Sequence, residues 1–157
     1  MKASAKAISF LTKEEGVVLK AYRDSAGIPT IGIGTIVYPD GRKVKMGDQI
    51  TMAQALAYLH HEVDSKTKEV ENLLTGIALN QNQFDALVSI VYNIGVGGFK
   101  SSTLLRRVKA NPCDPAIREA FMMWNKITDP KTKKKVEARG LTLRRKREAD
   151  LYFSPTL

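Results

Sequence analysis

The stretch Lys13–Gly34 reads KEEGVVLKAYRDSAGIPTIGIG. It sets two adjacent carboxylates before a glycine, a third carboxylate nine residues beyond Glu15, and a threonine ahead of an Ile/Gly run. Its first part closes a helix. Over residues 4–15, Ile8, Leu11 and Glu15 are spaced by three and four and share one broad face. Gly16 is a natural residue to end it. Glu14 lies near the same face, so helical geometry leaves Glu14 and Glu15 equivalent. The second part is β-prone: VVLKAYRD, the turn SAG, then PTIGIGTIVY. Beyond it, PDG at 39–41 marks another turn, and RKVKM is expected to return as a third strand.

From Thr51 onward the pattern is helical to the end. Thr51 with Gln54 forms a capping box for a long helix running to about Leu74, where Thr75 and Gly76 stop it. Asn80 with Gln83 is a second cap, opening a helix whose Phe84, Leu87, Val88 and Val91 make a central core stripe. GVGG at 95–98 reads as a loop, and shorter helices follow at about 102–110, 115–124 and 140–152. The expected fold is α+β, one domain over 1–157. It has a small antiparallel sheet lobe at about 17–48, a helical lobe from 1–16 and 77–157, and a connecting helix at about 51–75. A groove between lobes is a usual place for a ligand.

The chain carries 25 Lys and Arg against 16 Asp and Glu, a net charge of +9. Ten of the cations lie within residues 126–147 against Asp129 and Glu137, so nearly all the excess sits near the C-terminus. Such a tract suits an anionic lipid, an acidic polymer or nucleic acid, or else is a solvated face. No apolar run approaches ~18 residues, so no membrane span is expected, and no signal peptide is read at the start. The lone Cys113, in NPCDP, allows no internal disulfide and reads as a small turn residue. His60 and His61 lack further ligands at suitable spacing, so no metal is expected, and nothing points to another cofactor. Trp124 is the only tryptophan and reads as core, with sugar stacking as the alternative.

Glu15, Asp24 and Thr30 make the chemical constellation. Glu15 beside an apolar stripe, at the negative end of a helix, is expected to be poorly solvated and to hold its proton as an acid would. Asp24 enters a polar turn and is expected to stay ionised. It lies as far before Gly27 as Thr30 lies after it, so a hairpin turning there brings the two together, where they can hold a water. Two carboxyls pushed apart in pKa are the usual equipment for cleaving a glycosidic bond.

EGVVLKAYRDSAGIPTIGIG closely resembles the signature of phage-type lysozymes, the endolysins of glycoside hydrolase family 24. The likeness continues through KVKMGDQITMAQA, LNQNQFDALVSIVYNIGVGGFKSSTLL, AFMMWNK and RGLTLRRKRE, about 130 of the 157 residues. The resemblance assigns the general acid to Glu15, the water-positioning aspartate to Asp24 and its threonine to Thr30. It implies a lysozyme-like fold and hydrolysis of the β-1,4 bond between N-acetylmuramic acid and N-acetylglucosamine in peptidoglycan, by direct attack of water with inversion. It also places Asn93 along the saccharide cleft and brings Arg144 toward the acid, with Arg145 a near equivalent. The family often reads Thr-Ile-Gly-Tyr-Gly-His-Thr where this chain has TIGIGTI at 30–36, so Ile33 replaces the Tyr and Thr35 the His.

The expected partner is the glycan strand of peptidoglycan, with the basic tract touching anionic envelope components. No nucleic acid is expected as a partner, and a monomer is the default. The chain is expected to stay in the host cytoplasm until a separate factor opens the inner membrane. The alternative is a basic nucleic-acid or anionic-membrane binder on a degenerate lysozyme fold. A lytic transglycosylase is disfavoured by the water-holding pair.

Overall fold

Helix α1, Ala5–Glu15, turns Ala7, Ile8 and Leu11 inward and ends at Gly16, whose φ of 74° and N–H bond to Thr12 O (3.0 Å) close its last turn. The computed structural model describes residues 1–156. Strands β1, Val18–Arg23, and β2, Pro29–Gly32, follow as an antiparallel hairpin with Tyr22 opposite Thr30 and Arg23 opposite Pro29.

The expected third strand at 42–46 does not join this sheet. Residues 36–44 fold on themselves through the bridge of Val37 with Lys43. The segment that lies along β1 is 48–50, through Ala21 N to Asp48 O and Ile50 N to Leu19 O, both 2.9 Å. Asp48 anchors that segment. It accepts from the Tyr38 hydroxyl (2.7 Å) and the Lys45 amide (3.0 Å). Under this sheet Ala21, Ile31, Tyr38 and Val44 form a core with Ile50 and Tyr58 packed against it.

Helix α2, Met52–Leu73, begins at the expected capping box: Thr51 N donates to Gln54 Oε1 (2.9 Å) and Gln54 N to Thr51 Oγ1 (3.1 Å). The chain divides into two compact units whose boundary falls inside α2. One is Ala5–Ser65; the other is Met1–Ser4 with the chain from Lys66 onward.

The second unit is built on α3, Gln81–Ile94, in which every residue from Asn82 to Val91 is buried. A helix covered on all sides has to lie at the centre of its unit. Asn80 and Gln83 cap it reciprocally, as their spacing predicts. Instead of the loop expected at 95–98, Gly95 (φ 87°) ends α3, and the short helix α4, Val96–Lys100, starts at once. Helices α5, Thr103–Ala110, and α6, Ile117–Met122, follow.

Then comes an element the helical reading missed, the antiparallel hairpin of β3, Lys126–Thr128, and β4, Lys135–Glu137. Helix α7, Arg139–Tyr152, completes the unit and packs on α3 and α6.

Candidate active site

Glu15 is the last residue of α1. The stripe that buries Ile8 and Leu11 runs out at this turn, leaving Glu14 half-buried and Glu15 exposed. The expected burial of Glu15 is therefore absent in the free protein.

Asp24 lies between β1 and the turn that leads into β2. Its Oδ1 accepts from the amides of Ala26 (2.8 Å) and Ile28 (2.9 Å), and its own N–H donates to Ile28 O (3.0 Å). Gly27, at φ 80°, sends its N–H to Asp24 O (2.9 Å), and Arg23 Nη1 donates to Gly27 O (3.0 Å). The Asp side chain thus makes the turn with one oxygen. Among the described residues, Oδ2 has no partner.

Thr30 is only 4% exposed, and its hydroxyl donates to Ile28 O at 2.9 Å. Asp24 and Thr30 are both tied to the backbone of Ile28, one by its N–H and the other by its C=O. The register makes them diagonal neighbours across the hairpin, since Thr30 stands opposite Tyr22. Sequence symmetry about Gly27 found the pair but not the shared anchor.

Gly32 seats β2 against the start of α2. A Cβ there would lie 3.2 Å from Ile50 Cδ1 and 3.4 Å from Ala55 Cβ, and its φ is 67°. Ile33 and Thr35, the two departures from the family pattern, are both fully buried. Among the described residues the Thr35 hydroxyl has no hydrogen-bond partner, a destabilising state for a buried polar atom.

The remaining expected residues lie in the other unit. Asn93 is exposed near the end of α3, and its Oδ1 accepts from Arg145 Nη2. Arg144 is no surface charge. It is 6% exposed, with Nε 3.3 Å from Glu148 Oε2 and Nη2 3.3 Å from Ser89 O. Arg145 is fully buried, donating to Glu148 Oε1 and, from Nε, to Trp124 O at 2.8 Å. Burial raises the Glu148 carboxyl above its ordinary value, opposed by Arg145, the Ser89 hydroxyl and Arg144.

The basic tract is thus two different things. Arg144 and Arg145 are internal ion-pair partners of Glu148, while Lys126, Lys131, Lys133, Lys134 and Lys135 are exposed on β3–β4 and its turn. Trp124 is not core either. Half-buried, it lines a cavity of about 600 Å³ together with Asn93, Ser101, Met123, Lys126 and Lys135. His60, His61 and Cys113 are exposed. Among the described residues, no three His, Cys, Asp or Glu side chains gather closely enough to hold a metal ion, and no helix is long and apolar enough to cross a membrane.

The phage lysozyme family profile matches residues 12–148. The endolysin of Salmonella phage P22 is 38% identical over 155 residues, 98% of this chain and 99% of that protein. The solved endolysin from Escherichia coli O157:H7 phage FAHEc1 is 44% identical and superposes with a TM-score of 0.90, covering 98% of this chain and 94% of that one. The muramidase domain of SpmX from Asticaccaulis excentricus, 28% identical, gives a TM-score of 0.86 over 98% of this chain and 99% of that chain.

Proposed function

This chain belongs to the phage lysozyme family, and from that premise we propose that Glu15, Asp24 and Thr30 are the residues with which it hydrolyses peptidoglycan. The chain is a lysozyme-type glycoside hydrolase. Its substrate is the β-1,4 bond between N-acetylmuramic acid and N-acetylglucosamine.

Glu15 gives its proton to the bridging oxygen as the bond from that oxygen to the anomeric carbon breaks. A water attacks that carbon from the opposite face, its proton passes to Asp24, and the configuration inverts. The anchoring of Asp24 and Thr30 on Ile28 carries this reading. The Thr30 proton is committed to Ile28 O and one Asp24 oxygen to the turn, so toward a water both side chains offer only acceptors. A water that donates to both keeps a lone pair for the sugar. Because Glu15 is exposed in the free protein, its desolvation arrives with the glycan laid against it.

Asn93 serves as a substrate-binding amide. The support of the acid by Arg144 is carried over from the resemblance. The enzyme reaches the wall after a separate factor opens the inner membrane. There the lysines of β3–β4 hold it to anionic envelope material, with Ile127 and Val136 exposed beside them.

Product analysis tests the mechanism. Digested peptidoglycan should show new reducing ends, formed first as the α anomer by NMR. Products ending in 1,6-anhydro sugars, or formed first as the β anomer, would contradict it. An Asp24 carboxylate about 6.5–9.5 Å from that of Glu15 is the geometry such a water requires.

A further inference from the structure

Asn93 carries one acceptor, Oδ1, and two donor protons on Nδ2, and the structure has already used the acceptor. Arg145, fully buried behind it, donates to Oδ1 from Nη2. A guanidinium has only protons to give, so the amide cannot turn round without setting Nδ2 against them. Arg145 is itself held at its other nitrogens, by Glu148 at Nη1 and by the Trp124 carbonyl at Nε (2.8 Å). Glu148 is in turn held by Ser89 and Arg144.

Asn93 and Trp124 line the same cavity of about 600 Å³. The Trp124 ring packs on Gly98, where a Cβ would come within 3.1 Å of it. One internal arginine therefore grips two walls of the cavity from behind. Among the described residues, Nδ2 of Asn93 has no partner.

We infer that Arg145 is a positioning residue that locks Asn93 as a hydrogen-bond donor, so that the cavity recognises an amide carbonyl oxygen of the substrate. This rests on the reading of Asn93 as a substrate-binding residue. Both sources of such a carbonyl, an acetamido group of the sugar and a bond of the stem peptide, carry the same chemistry. A group with only a proton to donate meets an oxygen that already accepts from Arg145, while the two Nδ2 protons stay open to an acceptor.

Asparagine and aspartate at position 93 separate the possibilities, because aspartate keeps an acceptor for Arg145 and removes the donor. With solubilised glycan strands as substrate, Asn93→Asp should raise KM by ~10-fold with kcat nearly unchanged, as loss of one hydrogen bond of this kind does. Its melting temperature should be no lower than that of the parent. Wild-type KM in Asn93→Asp together with a raised KM in Asn93→Ala would overturn the donor assignment while leaving Asn93 as a binding residue. Wild-type KM in both would sink the binding reading itself.

Arg145→Lys should raise KM only through Asn93, so the double variant Arg145→Lys/Asn93→Ala should be no worse than Asn93→Ala alone. Additive penalties would overturn the role of Arg145. If Arg145→Lys does not fold, the aspartate variant still decides the donor. A penalty that persists on strands stripped of peptide assigns the acetamido group, and one that vanishes there assigns a peptide carbonyl.

Discussion

In hairpin β1–β2 the aspartate just after the first strand, Asp24, accepts from the amide two residues on at 2.8 Å; in hairpin β3–β4 Asp129 does the same with Lys131, also at 2.8 Å. The turn device is shared, and the surroundings differ. Behind β1–β2 stand the fully buried Ile31 and Ile33, with Gly32 pressed against Ile50 and Ala55. Every residue of β3 and β4 is exposed, and the left-handed position of its turn is filled by Lys133 (φ 62°), not by glycine. A hairpin with a packed floor can hold a carboxylate and a hydroxyl in fixed relation. A hairpin without one can offer charge but little preorganisation.

The sharpest way to break this contrast is Asp24→Asn. Asparagine keeps an oxygen for the Ala26 and Ile28 amides, so the turn survives while the proposed base is lost. Wall lysis, followed by turbidity, should fall by ~10²–10⁴-fold with an unchanged melting temperature. Retained lysis would reduce Asp24 to a turn former like Asp129.

The corresponding change in β3–β4 is Lys131→Gln, Lys133→Asn and Lys134→Gln together, with asparagine chosen for the left-handed position. Stability should move by less than about 0.5 kcal/mol. Binding to isolated envelopes should weaken several-fold at low salt and match the parent at high salt. Equal binding by parent and variant at both salts would show the hairpin to be only a solvated face.

The packed floor has its own flaw, and Thr35→Val tests it. Removing the orphaned hydroxyl at nearly constant volume should stabilise the protein by about 1 kcal/mol in thermal unfolding, with lysis intact. Destabilisation would mean that Thr35 has a partner in solution.

The smallest expected effect concerns Asp48. The Lys45 amide and then the Tyr38 hydroxyl hold its carboxyl below the ordinary carboxylate range. A depressed folded-state pKa means that its stabilisation is complete above the ordinary value and is lost as pH falls through the folded one. The melting temperature of Asp48→Asn should accordingly fall less steeply with acid than that of the parent. Identical acid limbs would remove Asp48 from the account.

The same contrast explains what the sequence could tell. Asp-Ser-Ala-Gly and Pro29 announce β1–β2 through turn chemistry, and the caps at Thr51 and Asn80 announce α2 and α3, because these signals are local. The Asp129-Pro130 turn between Ile127-Thr128 and Val136 was there to be read, but five lysines at 126–135 look like one face of a helix, and no glycine marks the left-handed residue. Ion pairing is less local still. Arg144 and Arg145 look like surface cations until α7 brings Glu148 one turn behind them and α3 supplies Ser89 and Asn93. The exposure of Glu15 escaped for a related reason. Its spacing from Leu11 predicts a shared face, and only the helix end shows that no further turn covers it.

The central assignment is the acid, and two neighbouring glutamates provide its control. Glu15→Gln and Glu14→Gln should both keep the circular dichroism spectrum and melting temperature of the parent. Lysis of isolated walls should then collapse in Glu15→Gln and persist in Glu14→Gln. Persistent lysis in Glu15→Gln would contradict the account, whatever Glu14→Gln does.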